Sequence, residues 1–105
     1  MAMSRMDINV MQARVGNASR LLAAMANEKR LMILCQLVGG ERSVGELAEL
    51  LRTRQSTVSQ HLALLRRDGL VASRREGQLQ LYSLAGDEAR AVLGALYELY
   101  CRQAP

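Results

Sequence analysis

Between Ser43 and Leu70 the chain carries two short amphipathic segments, "SVGELAELL" and "QSTVSQHLALLRRDGL", with only a few residues between them. Segments tethered this closely must bury their leucines together. Ser43 and Glu46 have the S-x-x-E spacing of a capping box, which predicts a helix starting there with Leu47, Leu50 and Leu51 inward. In the second segment Val58, Leu62 and Leu65 recur at helical spacing and supply the inner stripe. Ser56, Ser59, Gln60, Ala63 and Arg67 then fall on the far side, and Asp68-Gly69 closes the helix. An outer face this small and polar predicts a helix-turn-helix whose second helix enters a major groove of double-stranded DNA. Gln55 and Gln60 can present a donor and an acceptor to a base edge, Ser56, Thr57 and Ser59 permit close approach, and His61 can reach base or phosphate. Arg66 and Arg67, with Arg74 and Arg75 from the turn between two strands, suit phosphates.

The rest of the chain supplies a scaffold for that pair. Residues 1–18 are expected to form an N-terminal arm, flexible or associated with a dimer partner, and residues 19–105 the folded domain. Leu21, Leu22, Met25 and Ala26 begin a first helical pattern. Asn27 can cap a second helix reaching about Val38, with Leu31, Leu34, Cys35 and Val38 as its stripe, and Gly39-Gly40 stops it. Residues 71–76 and 78–84 read as two strands around Gly77. Gly86-Asp87 introduces a last helix whose Val92, Leu93, Leu96, Leu99 and Tyr100 are too apolar for a solvated surface and should pack in a dimer interface. The expected fold class is mainly α, with five helices and a small β-hairpin before the last.

Composition bounds the function. A chain of 105 residues is one domain, and its hydrophobic half is nearly all aliphatic, with no Phe or Trp, which favours completing the core by dimerisation. The net charge of +4 favours a polyanionic partner. Of its 14 basic residues only Lys29 is Lys, and Arg suits bidentate contact with phosphate or guanine. No apolar run is long enough to span a membrane and the start, "MAMSRMDINV", lacks a secretory signal, so a cytoplasmic protein without membrane contact is expected. Two cysteines so placed do not make a structural disulfide framework. The chain has no Cys-x-x-C pair and no glycine-rich phosphate loop, so no enzyme and no cofactor are expected.

"NEKRLMILCQLVGGERSVGELAELL" followed by "QSTVSQHLALLRRDGLVASRREGQLQLYSL" resembles the winged helix-turn-helix repressors of the ArsR/SmtB family, over roughly residues 19–101. The resemblance implies a homodimer joined through its first and last helices, recognition helices in successive grooves of an imperfect inverted repeat, and release on an inducing signal. One position departs from it: where the family has a capping Ser before the recognition helix, this chain has Arg54. The family's Cys-x-Cys metal motif is matched by Ser43-Val44-Gly45-Glu46-Leu47, and the last helix offers Asp87, Glu88 and Glu98 without His, so no metal site is expected. Ile33-Leu34-Cys35 and Leu99-Tyr100-Cys101 resemble the sulfide- and persulfide-responsive subgroup. That likeness implies that Cys35 and Cys101 are a redox-sensing pair, with low-molecular-weight persulfides as inducer. One thiolate is persulfidated, a polysulfide bridge closes, and DNA affinity falls. The alternative is a general peroxide-sensing or metal-sensing repressor of the same family. A direct disulfide needs Cα atoms within about 7 Å, and each inserted sulfur adds about 2 Å of reach, so a pair held slightly too far apart would favour persulfides over peroxide.

Overall fold

The computed structural model describes residues 7–102. Helix α1 spans Ile8–Met25, α2 Glu28–Leu37, α3 Val44–Leu51, α4 Gln55–Arg67 and α5 Glu88–Tyr100, with strands β1 at Arg42–Ser43, β2 at Val71–Glu76 and β3 at Leu79–Leu84. The sheet is antiparallel in the order β1-β3-β2. Five helices and a hairpin are as expected, and the third strand is an addition. Ser43 is extended enough to pair with Leu81 while its hydroxyl caps α3, so one residue ends a strand and starts a helix.

Local chemistry fixes the boundaries. The Ser43–Glu46 capping box forms in both directions: the Ser43 hydroxyl accepts from the Glu46 N–H at 3.2 Å, and the Ser43 N–H donates to Glu46 Oε1 at 3.0 Å. The Asn27 side chain accepts the Arg30 N–H at the start of α2. At the end of α4, Gly69 sits at φ 80°, the Leu70 N–H donates to the Leu65 carbonyl, and the Gly69 N–H donates to that of Arg66. That Schellman pattern reverses the chain into β2.

The N-terminal arm is where the reading and the structure differ most. Helix α1 starts at Ile8, because the Asp7 carboxylate accepts the Asn9 and Val10 N–H groups, and it runs through Gly16 without a break. A mid-helix glycine costs only about 1 kcal/mol, too little to end a helix that is otherwise capped. The boundary drawn between residues 18 and 19 therefore falls inside α1, and residues 1–6 of the arm lie outside the described residues.

The core is aliphatic and lies where α2, α3, α4 and the sheet meet. Ile33, Leu34, Leu37, Leu47, Val58, Leu62 and Leu65 are its largest fully buried side chains. On α4 the inner stripe is the expected one. On α2 the inward face is Ile33, Leu34 and Leu37, while Cys35 and Val38 are exposed, so the helix is rotated from the predicted stripe. On α3, Leu47 and Ala48 are inward and Leu50 is half exposed. Ile8, Val15 and Leu22 on α1 and Tyr97, Leu99 and Tyr100 on α5 stand open. No helix of the described residues is long and apolar enough to cross a membrane.

Candidate nucleic-acid interface and thiol pair

The connection between α3 and α4 is three residues, Arg52 to Arg54. Arg52 takes the left-handed conformation at φ 51°, which costs a non-glycine residue about 1 to 2 kcal/mol. It lets the Thr53 N–H reach the Ala48 carbonyl at 2.9 Å and sets the angle between the helices. With Val58, Leu62 and Leu65 buried, Gln55, Ser56, Ser59, Gln60, Ala63, Arg66 and Arg67 are left on the exposed surface of α4, and Thr57 is half-buried. The exposed face of α4 is small and polar, as the sequence predicts. Gln55 is exposed, but its amide leans over Gly45 at the start of α3.

Three of the expected DNA contacts are placed differently. His61 is half-buried, and its Nδ1 is enclosed without a hydrogen-bond partner. Burial first, then the charges of Arg30 and Lys29, push its pKa below the ordinary imidazole value. His61 thus belongs to the seam between α4 and the start of α2. Arg74 and Arg75 stand within strand β2 rather than in the turn, which is Gly77-Gln78. Alternation along the strand sends them to opposite faces. Arg74 is held by Glu41 through two bonds, Nε to Oε2 at 2.7 Å and Nη2 to Oε1 at 2.8 Å, and by Glu76 at 2.7 Å. Arg75 is exposed and makes no ion pair with a described residue.

The start of α4 carries a further basic feature. Arg54 gives no side-chain cap, as expected of that residue, and the first turn holds no acidic side chain. Lys29 crosses from α2 to donate to the Thr53 hydroxyl at 2.9 Å, and that hydroxyl donates to the Leu51 carbonyl. Uncapped N–H groups with a lysine and an arginine beside them form a positive edge on the recognition helix. The missing cap at position 54 was its only sequence signal.

Cys35 on α2 and Cys101 at the end of α5 are free and exposed. They are close enough for charge on Cys101 to act on Cys35. Partial burial first, and the Cys101 charge second, push the Cys35 pKa above the ordinary thiol value. The two helices are also tied by Arg90, whose Nη1 donates to the Val38 carbonyl at 3.3 Å. Alkylation of Cys35 in the Cys101→Ser protein by a neutral reagent should therefore be slow at pH 7 and rise about tenfold per pH unit, since thiolate is the nucleophile. In the protein that keeps Cys101 the rise should continue beyond pH 9.0, and rate-against-pH profiles read by mass spectrometry check both. A plateau near neutrality would remove the burial argument.

A three-stranded wing beside a helix-turn-helix with a polar recognition face defines a winged helix-turn-helix DNA-binding regulator. The chain belongs to the arsR family of bacterial regulatory proteins, whose family model matches residues 27–73. Over 97 residues it is 50% identical to the transcriptional activator HlyU of Vibrio cholerae serotype O1, covering 92% of this chain and 90% of that one. The solved structure of reduced HlyU from Vibrio cholerae N16961 matches with a TM-score of 0.83 at 51% identity, over 88% of this chain and 97% of that one. The crystal structure of the transcriptional repressor BigR from Xylella fastidiosa matches at 0.86 and 38% identity, over 93% and 100%. A homodimeric winged helix-turn-helix DNA-binding domain from Mycobacterium bovis matches at 0.73 and 32% identity, over 90% and 92%. This chain is accordingly a transcriptional regulator and not an enzyme.

Proposed function

We propose that this regulator is a homodimeric repressor that senses reactive sulfur species through Cys35 and Cys101 and leaves its operator when the two are bridged. The observation that carries the reading is the juxtaposition of two exposed thiols, one on α2 and one at the end of α5, in a chain with no other cysteine. The exposed Tyr97, Leu99 and Tyr100 of α5 and the exposed apolar residues of α1 support a dimer joined through these helices, as does the homodimeric neighbour. Its operator would be an imperfect inverted repeat in double-stranded DNA. Gln55, Ser56, Thr57, Ser59 and Gln60 face the bases, and Arg66, Arg67 and Arg75 the phosphates. Repression is preferred to activation on the likeness to the transcriptional repressor BigR.

The chemistry balances with the inducer alone. Each cysteine thiolate takes the outer sulfur of a low-molecular-weight persulfide and releases the corresponding thiol. The two cysteine persulfides then condense, expelling hydrogen sulfide and leaving a trisulfide with one inserted sulfur. Hydrogen peroxide would instead remove two hydrogens and leave a direct disulfide. Intact mass after anaerobic treatment with glutathione persulfide should show one sulfur gained and two hydrogens lost, with both free thiols gone and no change with peroxide. Closure by peroxide would make the protein a general redox sensor, and unreacted thiols in both arms would end the thiol reading.

A further inference from the structure

The Glu41–Arg74–Glu76 group is not explained by DNA contact or by thiol chemistry. Arg74 and Glu76 share one face of β2 because they are two residues apart. Glu41 lies 33 residues earlier, beside Gly40 and just ahead of β1, and accepts from the Nε and Nη2 groups of the guanidinium. The Arg74 hydrogen bonds hold the Glu41 carboxyl below the ordinary carboxylate range. Such a pair on the surface adds little to stability, since solvent and salt screen it. What it does change is the charge the wing offers to a polyanion. Two carboxylates hold the Nε and Nη2 donors of Arg74 and offset its charge, and the neighbouring Arg75, on the opposite face, makes no ion pair with a described residue.

We infer that Glu41 and Glu76 hold Arg74 away from DNA phosphates, so that the wing meets the backbone through Arg75 alone and sequence-independent binding is kept low. The inference rests on the reading of the wing as a phosphate contact. Each arginine that reaches a phosphate releases counterion and adds about 0.9 to the slope of log affinity against log salt. It acts alike on every sequence. An arginine withheld from phosphate therefore lowers non-specific affinity without touching the base contacts of α4, and the ratio of specific to non-specific binding rises. Glu41 and Glu76 are in this sense specificity-determining residues that do not themselves touch a base.

The test uses the full-length reduced protein and a random-sequence duplex of about three helical turns, with affinity measured by fluorescence anisotropy across a salt series. The Glu41→Gln/Glu76→Gln protein should bind more tightly, with a slope steeper by about 0.9 per subunit and a gain of roughly threefold per freed arginine over a fourfold change in salt. Adding Arg74→Ala to that double variant should return the slope to the wild-type value. A general gain from deleting two negative charges would persist in the triple variant and would overturn the inference. So would Arg74→Ala alone flattening the slope as much as Arg75→Ala, because Arg74 would then already contact phosphate. Should Arg75→Ala leave the slope unchanged while the wild type binds, the wing reading itself fails and the inference fails with it.

Discussion

Leu62→Ala should lower the free energy of unfolding by about 2 to 5 kcal/mol, read as a shift of the urea midpoint with the slope of the transition preserved. Leu62 is fully buried on the inner stripe of α4, in one cluster with Leu34, Leu37, Leu47 and Leu65. The substitution removes the burial of its methyl groups and leaves a cavity that rigid helices only partly collapse. Ser59 on the same helix is exposed, and Ser59→Ala should stay within about 0.5 kcal/mol. A protein that associates gains apparent stability with concentration, so both variants must be compared at one protein concentration. A loss below about 1 kcal/mol for Leu62→Ala would mean that the stripe is not the core and that α4 presents a different face to DNA.

The contrast between α4 and α2 shows why one helix face was legible and the other was not. On α4 the polar residues Ser56, Ser59, Gln60, Arg66 and Arg67 leave only one phase for the apolar stripe. On α2 the run Leu31 to Cys35, followed by Leu37 and Val38, is apolar on nearly every side, so periodicity admits more than one phase. Packing against α3, α4 and β3 decides for Ile33, Leu34 and Leu37. The rotation matters for function, because it turns Cys35 out of the core and toward Cys101.

Non-local pairings were not legible at all. Strand β1 is two residues long, too short for an alternation signal, and it exists because Leu81 and Tyr82 offer the free edge of β3. The partner that sequesters Arg74 comes from a loop 33 residues away, and the basic residues that disfavour charge on His61 come from α2. Residues such as these read as DNA contacts in sequence because Arg and His are the right chemistry. Only the fold tells which of them are already engaged.

Closure of the Cys35–Cys101 bridge should weaken operator binding some 5- to 150-fold, the range that a coupling of about 1 to 3 kcal/mol allows. A covalent link would tie α2 to the end of α5, two helices otherwise joined at Arg90 and Val38. Helix α2 packs on α4, so a shift at the bridge passes to the recognition helix. In a dimer built on α5 it also changes the separation of the two recognition helices, which must match one DNA turn of about 34 Å. The measurement is anisotropy of an operator duplex obtained by selection from random sequence, titrated with reduced and with persulfide-treated protein. Cys35→Ser and Cys101→Ser should each bind like the reduced wild type and ignore the persulfide, while dithiothreitol restores the treated wild type. Release that survives in either single variant would place the sensor elsewhere, since a bridge needs both sulfurs. Loss of binding in the untreated variants would instead mean that the thiols serve the dimer contact through packing, with no switch between them.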